Sequence, residues 1–429
     1  MREMKDSGIE WIGNIPKNWS ILKLKYVLKF SGSGTTPPSN KLEFYDGDIE
    51  WIQSGDLYHT NTIVNTKVKL KSLALKYCPA LKFYKAPFIV LAMYGASVGN
   101  ASISCINACT NQACCVLYPN NENNLKFLYY WIVITKNELL KKSIGGGQPN
   151  INQITIRNLN FINLPYKNQQ AIAEFLDVKC ADIDFLTADI QKQIDILKEY
   201  KKSVITQAVT KGLDPNVEMK NTASQYWNKI PKKWYLSDIK YIFKIVKRIA
   251  GKEGFDILSV TQKGLKIKDT SRNEGQIAEN YKGYQFVYPG DFVMNHMDLL
   301  TGWVDLSKLF GVTSPDYRVF KLRDNVQNEA GYYKYVMQCC YSCRIFYSLG
   351  QGVSTLGRWR LQTSVFNNFL LPVPPTTEQK AIADFLDAKC ADIDAAIAGK
   401  QKQLDVLKEY KKSLIYEYVT GKKEVPCRE

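Results

Sequence analysis

Histidine is almost absent from this chain: His59 and His296 are the two in 429 residues. That scarcity leaves no basis for a serine–histidine–carboxylate triad or a histidine-rich metal site. Long apolar runs are missing too. A membrane span needs roughly 20 uncharged apolar residues, and the most apolar stretch, "PFIVLAMYGASVG" (87–99), is strand-length. The opening residues "MREMKDSGIEWIG" carry no apolar core of a secretory signal. There is no G-x-x-x-x-G-K-[ST] loop and no glycine fingerprint between a strand and a helix. Neither H-E-x-x-H nor the Asp/Asn-Pro-Pro-aromatic motif of amino-methyltransferases occurs. "GQGVSTLG" (350–357) is glycine-rich, but a lone glycine turn is weak evidence for phosphate binding. A methyltransferase or nuclease acting by itself finds no support.

The 11 cysteines are odd in number and unevenly spaced, which does not describe a disulfide framework. They read as reduced thiols of a cytoplasmic protein. In "CCYSC" (339–343), Cys340 and Cys343 have C-x-x-C spacing, but no second such pair supplies a four-ligand zinc site. These are expected to be buried thiols in a helix, with no metal.

What the chain has in excess is positive charge. Lys and Arg number 57 against 41 Asp and Glu, a net charge of +16. A protein this basic usually meets a polyanion, nucleic acid above all; the other reading is lysines spread for solubility.

It also repeats itself. "AIAEFLDVKCADID" begins at 171 and "AIADFLDAKCADID" at 381, 210 residues apart. Laid over each other, 169–212 and 379–422 are identical at roughly two thirds of positions without a gap. Upstream, "MKDSGIEWIGNIPKNW" (4–19) echoes "MKNTASQYWNKIPKKW" (219–234). Between lead-in and repeated segment the two copies share no convincing alignment. The chain is a tandem duplication whose common frame carries two unlike inserts.

The repeated segments are helical in composition. Asn168 is a plausible N-cap, and Thr376 stands three residues before Gln379 in capping-box spacing. An apolar 4-3 pattern runs through Ile183, Ile190, Ile194, Leu197 and Val204, with Thr187 and Lys201 interrupting it. The second copy repeats it at Ile393, Ile397, Leu404, Leu407 and Leu414, interrupted by Lys400 and Lys411. This predicts a coiled-coil seam between the copies. About 30 residues of helix cover ~45 Å. Antiparallel pairing would put the inserts at opposite ends; the alternative is that each helix packs on its own insert.

The inserts mix strands and helices. "APFIVLAMYG" (86–95) and "YQFVYPGDFVMN" (284–295) read as strands meeting at turns. Helices are expected within 124–142 and 330–347, each followed by a glycine-rich turn, so the inserts share an architecture without sharing a sequence.

Together these segments resemble the specificity subunit of type I restriction–modification systems. The motifs are "DSGIEWIGNIPKNW", "LPYKNQQAIAEFLD", "LPVPPTTEQKAIADFLD", "KEYKKSVITQAVTKGLDPN" and "KEYKKSLIYEYVTGK", which cover the chain end to end. The second lead-in departs by lacking the Gly-Ile-Glu-Trp-Ile-Gly run. The resemblance implies an α+β fold: two globular α/β target recognition domains in a pseudo-two-fold arrangement, separated by two long antiparallel helices forming a coiled coil. The domains would be 1–168, a central spacer helix 169–212, 213–378, and a C-terminal spacer helix 379–425. It implies a non-catalytic subunit in which each domain binds one half of a bipartite asymmetric site in double-stranded DNA. The helices would set the gap and dock two modification subunits carrying adenine-N6 methyltransferase chemistry. S-adenosylmethionine, ATP and Mg would sit on partner subunits, including restriction subunits, and no cofactor on this chain. A coiled-coil adaptor or decoy without DNA targeting is the competing reading.

Base-reading residues are expected among polar side chains on turns and strand ends. In the first insert these are Ser54, Tyr94, Ser97, Asn100, Asn111 and Gln148. In the second they are Arg272, Asn295, His296, Tyr317, Gln351, Arg358 and Arg360. Each could instead cap a turn, and His296 could be a core histidine. "GRWR" (357–360) is the strongest candidate among them.

Overall fold

A computed structural model describes residues 2–58, 60–144, 149–269, 280–352 and 359–426. The chain divides into two units, 1–190 with 403–429, and 191–402. Each unit therefore contains one insert and a stretch of both repeated segments.

In the first unit a five-stranded sheet is built from β1 (Leu28–Ser33), β2 (Thr62–Ile63), β3 (Phe88–Ala92), β4 (Ala101–Ser104) and β5 (Cys114–Pro119), in the order β1-β5-β3-β4-β2. Its central strand β3 is buried at every residue, as a run of "FIVLA" requires when both faces are covered. Helix α1 (Leu125–Ile134) starts at Asn124, whose side chain accepts from the Lys126 and Phe127 amides. The helix expected across 124–142 breaks at Thr135 and resumes as Lys136–Lys141. The long helix α2 follows, Tyr166–Lys211.

In the second unit β6 (Phe243–Val246), β7 (Phe292–Met294), β8 (Val304–Leu306) and β9 (Arg318–Leu322) form a sheet of order β6-β9-β7-β8. That order reproduces β1-β5-β3-β4, with the same antiparallel pairings. The run expected as strand over 284–295 splits at a turn, its halves Gln285–Val287 and Phe292–Met294 joining different sheets. Helix α3 (Ala330–Ser342) is capped by Glu329 and ends before Arg344, which adopts φ +56°. Helix α4 spans Thr376–Val419.

The frame repeats in detail. The hairpin Met4–Asp6 with Asn14–Pro16 matches Met219–Asn221 with Lys229–Pro231, register included. Each lead-in ends in a tryptophan, Trp19 or Trp234, that is fully buried. The long helices stop at Gly212 and Gly421, both at positive φ. Beside Gly421 stand Trp19 and Pro16, and beside Gly212 stand Trp234 and the Glu378 carboxylate. A side chain at either glycine would meet those groups as well as backbone strain. Each copy's helix thus ends against the other copy's lead-in.

Helix starts differ from the capping expected. Asn168 and Thr376 do not cap, because α2 begins at Tyr166 and α4 at Thr376 itself. Instead Gln169 and Gln379 are buried and pin each start to the insert. Gln169 Oε1 accepts from the Asn124 amide at 2.9 Å while its Nε2 donates to Leu164 O at 2.9 Å. Gln379 makes the same pair with the Glu329 amide and Pro374 O, each 2.9 Å.

The helices pair antiparallel within each unit. In the first, Lys411 Nζ reaches Asp184 at 2.6 Å and Phe175 packs on Tyr418 with ring centroids 4.5 Å apart. In the second, Lys201 reaches Asp394 at 2.7 Å and Lys400 donates to Gln193. The two ion pairs are one pair of repeat positions with the copies' roles exchanged. Ile183, Ile194, Ile393, Leu404 and Leu414 are buried; Ile190, Leu197, Val204, Ile397 and Leu407 are half-buried. Packing against the own insert occurs as well. Asp177 takes Lys126 and the Tyr130 hydroxyl, and Asp387 takes Lys334 and the Tyr335 hydroxyl. Both alternatives for the apolar stripe are realised, on different faces of the same helices.

Candidate nucleic-acid interface and helix faces

In the first unit a short 3₁₀ turn, Ser54–Leu57, is held by Gln53 and Asp56, with the Gln53 amide donating to Asp56 Oδ2 at 2.9 Å. It packs against a second 3₁₀ turn, Gly95–Ser97, that follows β3. The turn bearing Ser54 and the turn that Tyr94 opens therefore come together, and Asn111 joins the first through its amide bond to Ile52 O at 3.0 Å. Tyr94 is exposed and bridges to Asn150. The other polar side chains are engaged locally. Ser97 is buried and donates to Tyr94 O at 3.0 Å; Asn111 Oδ1 accepts from the Ala113 amide at 3.1 Å. Asn100 accepts from Lys136 Nζ at 2.6 Å. Gln148 lies outside the described residues.

In the second unit Asn295, His296, Tyr317, Gln351 and Arg360 converge beyond the end of β7. The Leu361 amide donates to His296 O at 3.0 Å, and Gln351 and Arg360 exchange backbone bonds. Asn295 and Tyr317 line a recess of about 380 Å³ with Ser259, Tyr284 and Ser314. Gly350 and Gly352 lie flat on the Trp359 ring, and the Trp359 indole donates to Tyr347 O at 2.6 Å. The tryptophan of "GRWR" is thus an anchor for the glycine turn. Arg272 and Arg358 lie outside the described residues.

Sequence reasoning missed Arg318. It is buried, donates to Leu361 O at 3.1 Å and to Thr363 Oγ1 at 3.3 Å, and stacks over Phe366 at 4.3 Å. Burial pulls its pKa down to about 10. Nothing in "DYRVFKL" distinguishes it from a surface strand arginine. Beside it, burial first, then Arg318 and Arg360, lower the His296 pKa from 6.5 to about 3. The imidazole is neutral at physiological pH, and its Nδ1 is buried without a partner among the described residues. A neutral imidazole next to Asn295, Tyr317 and Arg360 can donate on one side and accept on the other, as base edges demand.

The thiol cluster also differs from the spacing argument. Cys339 and Cys343, one helical turn apart, bring their sulfurs to 3.8 Å, both 3.6 Å from Thr206 Oγ1. Cys340 is buried on another side of α3.

The repeated "KEYKK" lines a recess in each unit. In the first, about 770 Å³, Lys408, Lys411, Lys412 and Ile415 face Trp11, Val133 and Tyr416. In the second, about 850 Å³, the equivalent Lys198, Lys201, Lys202 and Ile205 face Tyr335, Arg344 and Asp387.

Residues 16–196 match the family described as Type I restriction modification DNA specificity domain. The Type I restriction enzyme MjaIX specificity subunit of Methanocaldococcus jannaschii is 30% identical over 195 residues, 44% of this chain and 43% of that relative. The MjaX specificity subunit of the same organism is 24% identical over 452 residues, 96% of this chain and 95% of the relative. A solved chain from work on complex assembly and conformational transition of the type I R-M system superimposes with a TM-score of 0.68 at 13% identity, covering 95% of this chain and 99% of that one. At that identity the superposition speaks for the fold alone. With a duplicated frame, a family domain matching residues 16–196 and one relative aligned from end to end, the chain is similar to the specificity subunits of type I restriction–modification systems.

Proposed function

We propose that this chain is the non-catalytic DNA-sequence specificity subunit of a type I complex. Each insert binds one half of a bipartite asymmetric site in double-stranded DNA. The repeated helices set the gap and dock two adenine-N6 methyltransferase subunits. S-adenosylmethionine, ATP and Mg belong to those partners and to restriction subunits. The observation that carries this reading is the pairing of sameness with difference. Helix faces, ion pairs and glutamine pins recur at both copies, while the turns that bear polar side chains are unlike. A frame used twice suits one partner bound twice, and unlike inserts suit two unlike half-sites. The excess of cations supplies contacts to phosphates.

The test is to co-express the chain with its modification subunit in a methylation-free host and sequence the methylome for N6-methyladenine. A bipartite motif with a fixed non-specific gap is expected. A complex that forms yet leaves no motif would favour the adaptor or decoy.

A further inference from the structure

The second sheet carries an unexplained charge. Lys244 on β6 and Lys321 on β9 stand directly opposite in the antiparallel register. Both are exposed, and neither is paired with a carboxylate among the described residues. Like charges directly opposite are destabilising. At the corresponding rung of the first sheet the opposed residues are Phe30 and Tyr118, an edge-on aromatic pair with centroids 6.1 Å apart. The second copy has a repulsive pair where the first has an attractive one.

Two arginines add to it. Arg323 donates through Nε to Lys240 O at 2.8 Å and Phe243 O at 3.0 Å, which fixes the side chain and leaves its terminal nitrogens unengaged by any carboxylate among the described residues. Arg248 is locked bidentate to Asp291 at 2.6 and 3.1 Å and lies over the Tyr288 ring. All four cations line one open recess of about 730 Å³ whose carboxylate, Asp291, is already taken by Arg248. Three uncompensated cations around one concavity are the recognition chemistry of a phosphodiester.

We propose that this recess seats the DNA backbone. Lys244, Lys321 and Arg323 hold two adjacent phosphates beside the half-site bound by the second insert, and the Arg248–Asp291 pair shapes the wall. The inference rests on the specificity-subunit reading and extends it to residues outside the base-reading candidates. Contacts of this kind position a duplex without reading it, so their loss should act alike on every sequence.

The test uses the full chain with Lys244→Gln, Lys321→Gln and Arg323→Gln combined, and Lys321→Gln alone. DNA affinity is measured against salt for duplexes with and without the methylated motif. Each phosphate contact contributes about 0.9 to the slope of log K against log salt. The triple variant should flatten the slope by about two and weaken both duplexes by at least tenfold at low salt. The single variant should flatten it by about one. Melting temperature of the single variant should hold or rise, because a repulsion is removed. Unchanged slope and affinity in the triple variant, with wild-type binding still salt-dependent, would overturn the phosphate seat and leave the specificity reading intact. If the wild-type chain shows no salt-dependent DNA binding, that reading fails and the seat with it. Stabilisation of wild type, but not the variant, by inorganic phosphate, with an unchanged DNA slope, would make this a free-anion site and equally overturn the proposal.

Discussion

Acidification should destabilise the second unit through one side chain, His296. Its folded pKa is depressed to about 3 from 6.5 by burial, Arg318 and Arg360. The unfolded chain therefore binds a proton that the folded chain refuses. The contribution is fully present above the unfolded value near 6.5 and is lost as pH falls toward 3, at about 1.4 kcal/mol per unit. Between pH 7.5 and 5 the loss is about 2 kcal/mol. That figure barely depends on the folded value, since at pH 5 the folded imidazole is neutral whether its pKa is 3 or 4. The chain has one other histidine, His59, so imidazole Cε1–H signals of a histidine-labelled sample can be assigned with one variant, His59→Gln. The His296 signal should not move between pH 7.5 and 4.5. Urea titrations should show the pH-dependent loss in wild type and about 2 kcal/mol less of it in His296→Gln. A His296 midpoint above pH 5.5 would refute the reasoning, because a water-accessible imidazole would then escape the cost of burial.

Other expectations concern the frame. A double-mutant cycle on Lys201 and Asp394 should give a coupling of roughly 0.2–1 kcal/mol, as for partly exposed pairs, and the cycle on Lys411 and Asp184 should match it; zero coupling at both would remove the pairs as determinants of register. Gln379→Ala leaves the Glu329 amide and Pro374 carbonyl without partners, and should cost about 2–4 kcal/mol by urea unfolding; Gln169→Ala should cost the same. Donation from Cys339, then Thr206 and nearby Lys202, lowers the Cys343 thiol below its ordinary pKa, so iodoacetamide at pH 6.5 should alkylate Cys343 before exposed Cys105; peptide mapping with Cys105 modified first would contradict that.

The fold was legible where the chain repeats, because a repeat reports which positions the two copies hold in common. The 4-3 pattern located the seam, and even its interruptions proved informative. Lys201 and Lys411 looked like breaks in an apolar stripe, yet they are the cations of the exchanged ion pairs. The helix starts were misread because Thr376 and Gln379 have capping-box spacing. Pro375 precedes Thr376, so the helix opens one residue earlier than a threonine cap allows, and the buried glutamine turns to the insert instead. That choice depends on the Glu329 amide, 50 residues upstream, and no local pattern contains it. Asn295, His296 and Arg360 were picked out by residue type alone; the burial that keeps His296 neutral, and the buried arginine that adds to it, were not.

The same contrast explains why the basic recess escaped a sequence reading while the seam did not. Lys244, Arg248, Lys321 and Arg323 are scattered over 80 residues, and they meet because β6 pairs with β9. Pairing across a sheet is set by the core, by the cluster of Phe243, Phe292 and Phe320 beneath it, and the core tolerates any exposed residue above it. The two sheets have the same strand order yet carry an aromatic pair in one and a lysine pair in the other at the same rung. Packing therefore leaves the outer faces free to differ, whereas the helices, which pair with each other at equivalent positions, are nearly identical. A duplication of this kind keeps its glutamine pins, lysine–aspartate pairs and strand order and loses sequence likeness between its inserts, and this chain has that distribution.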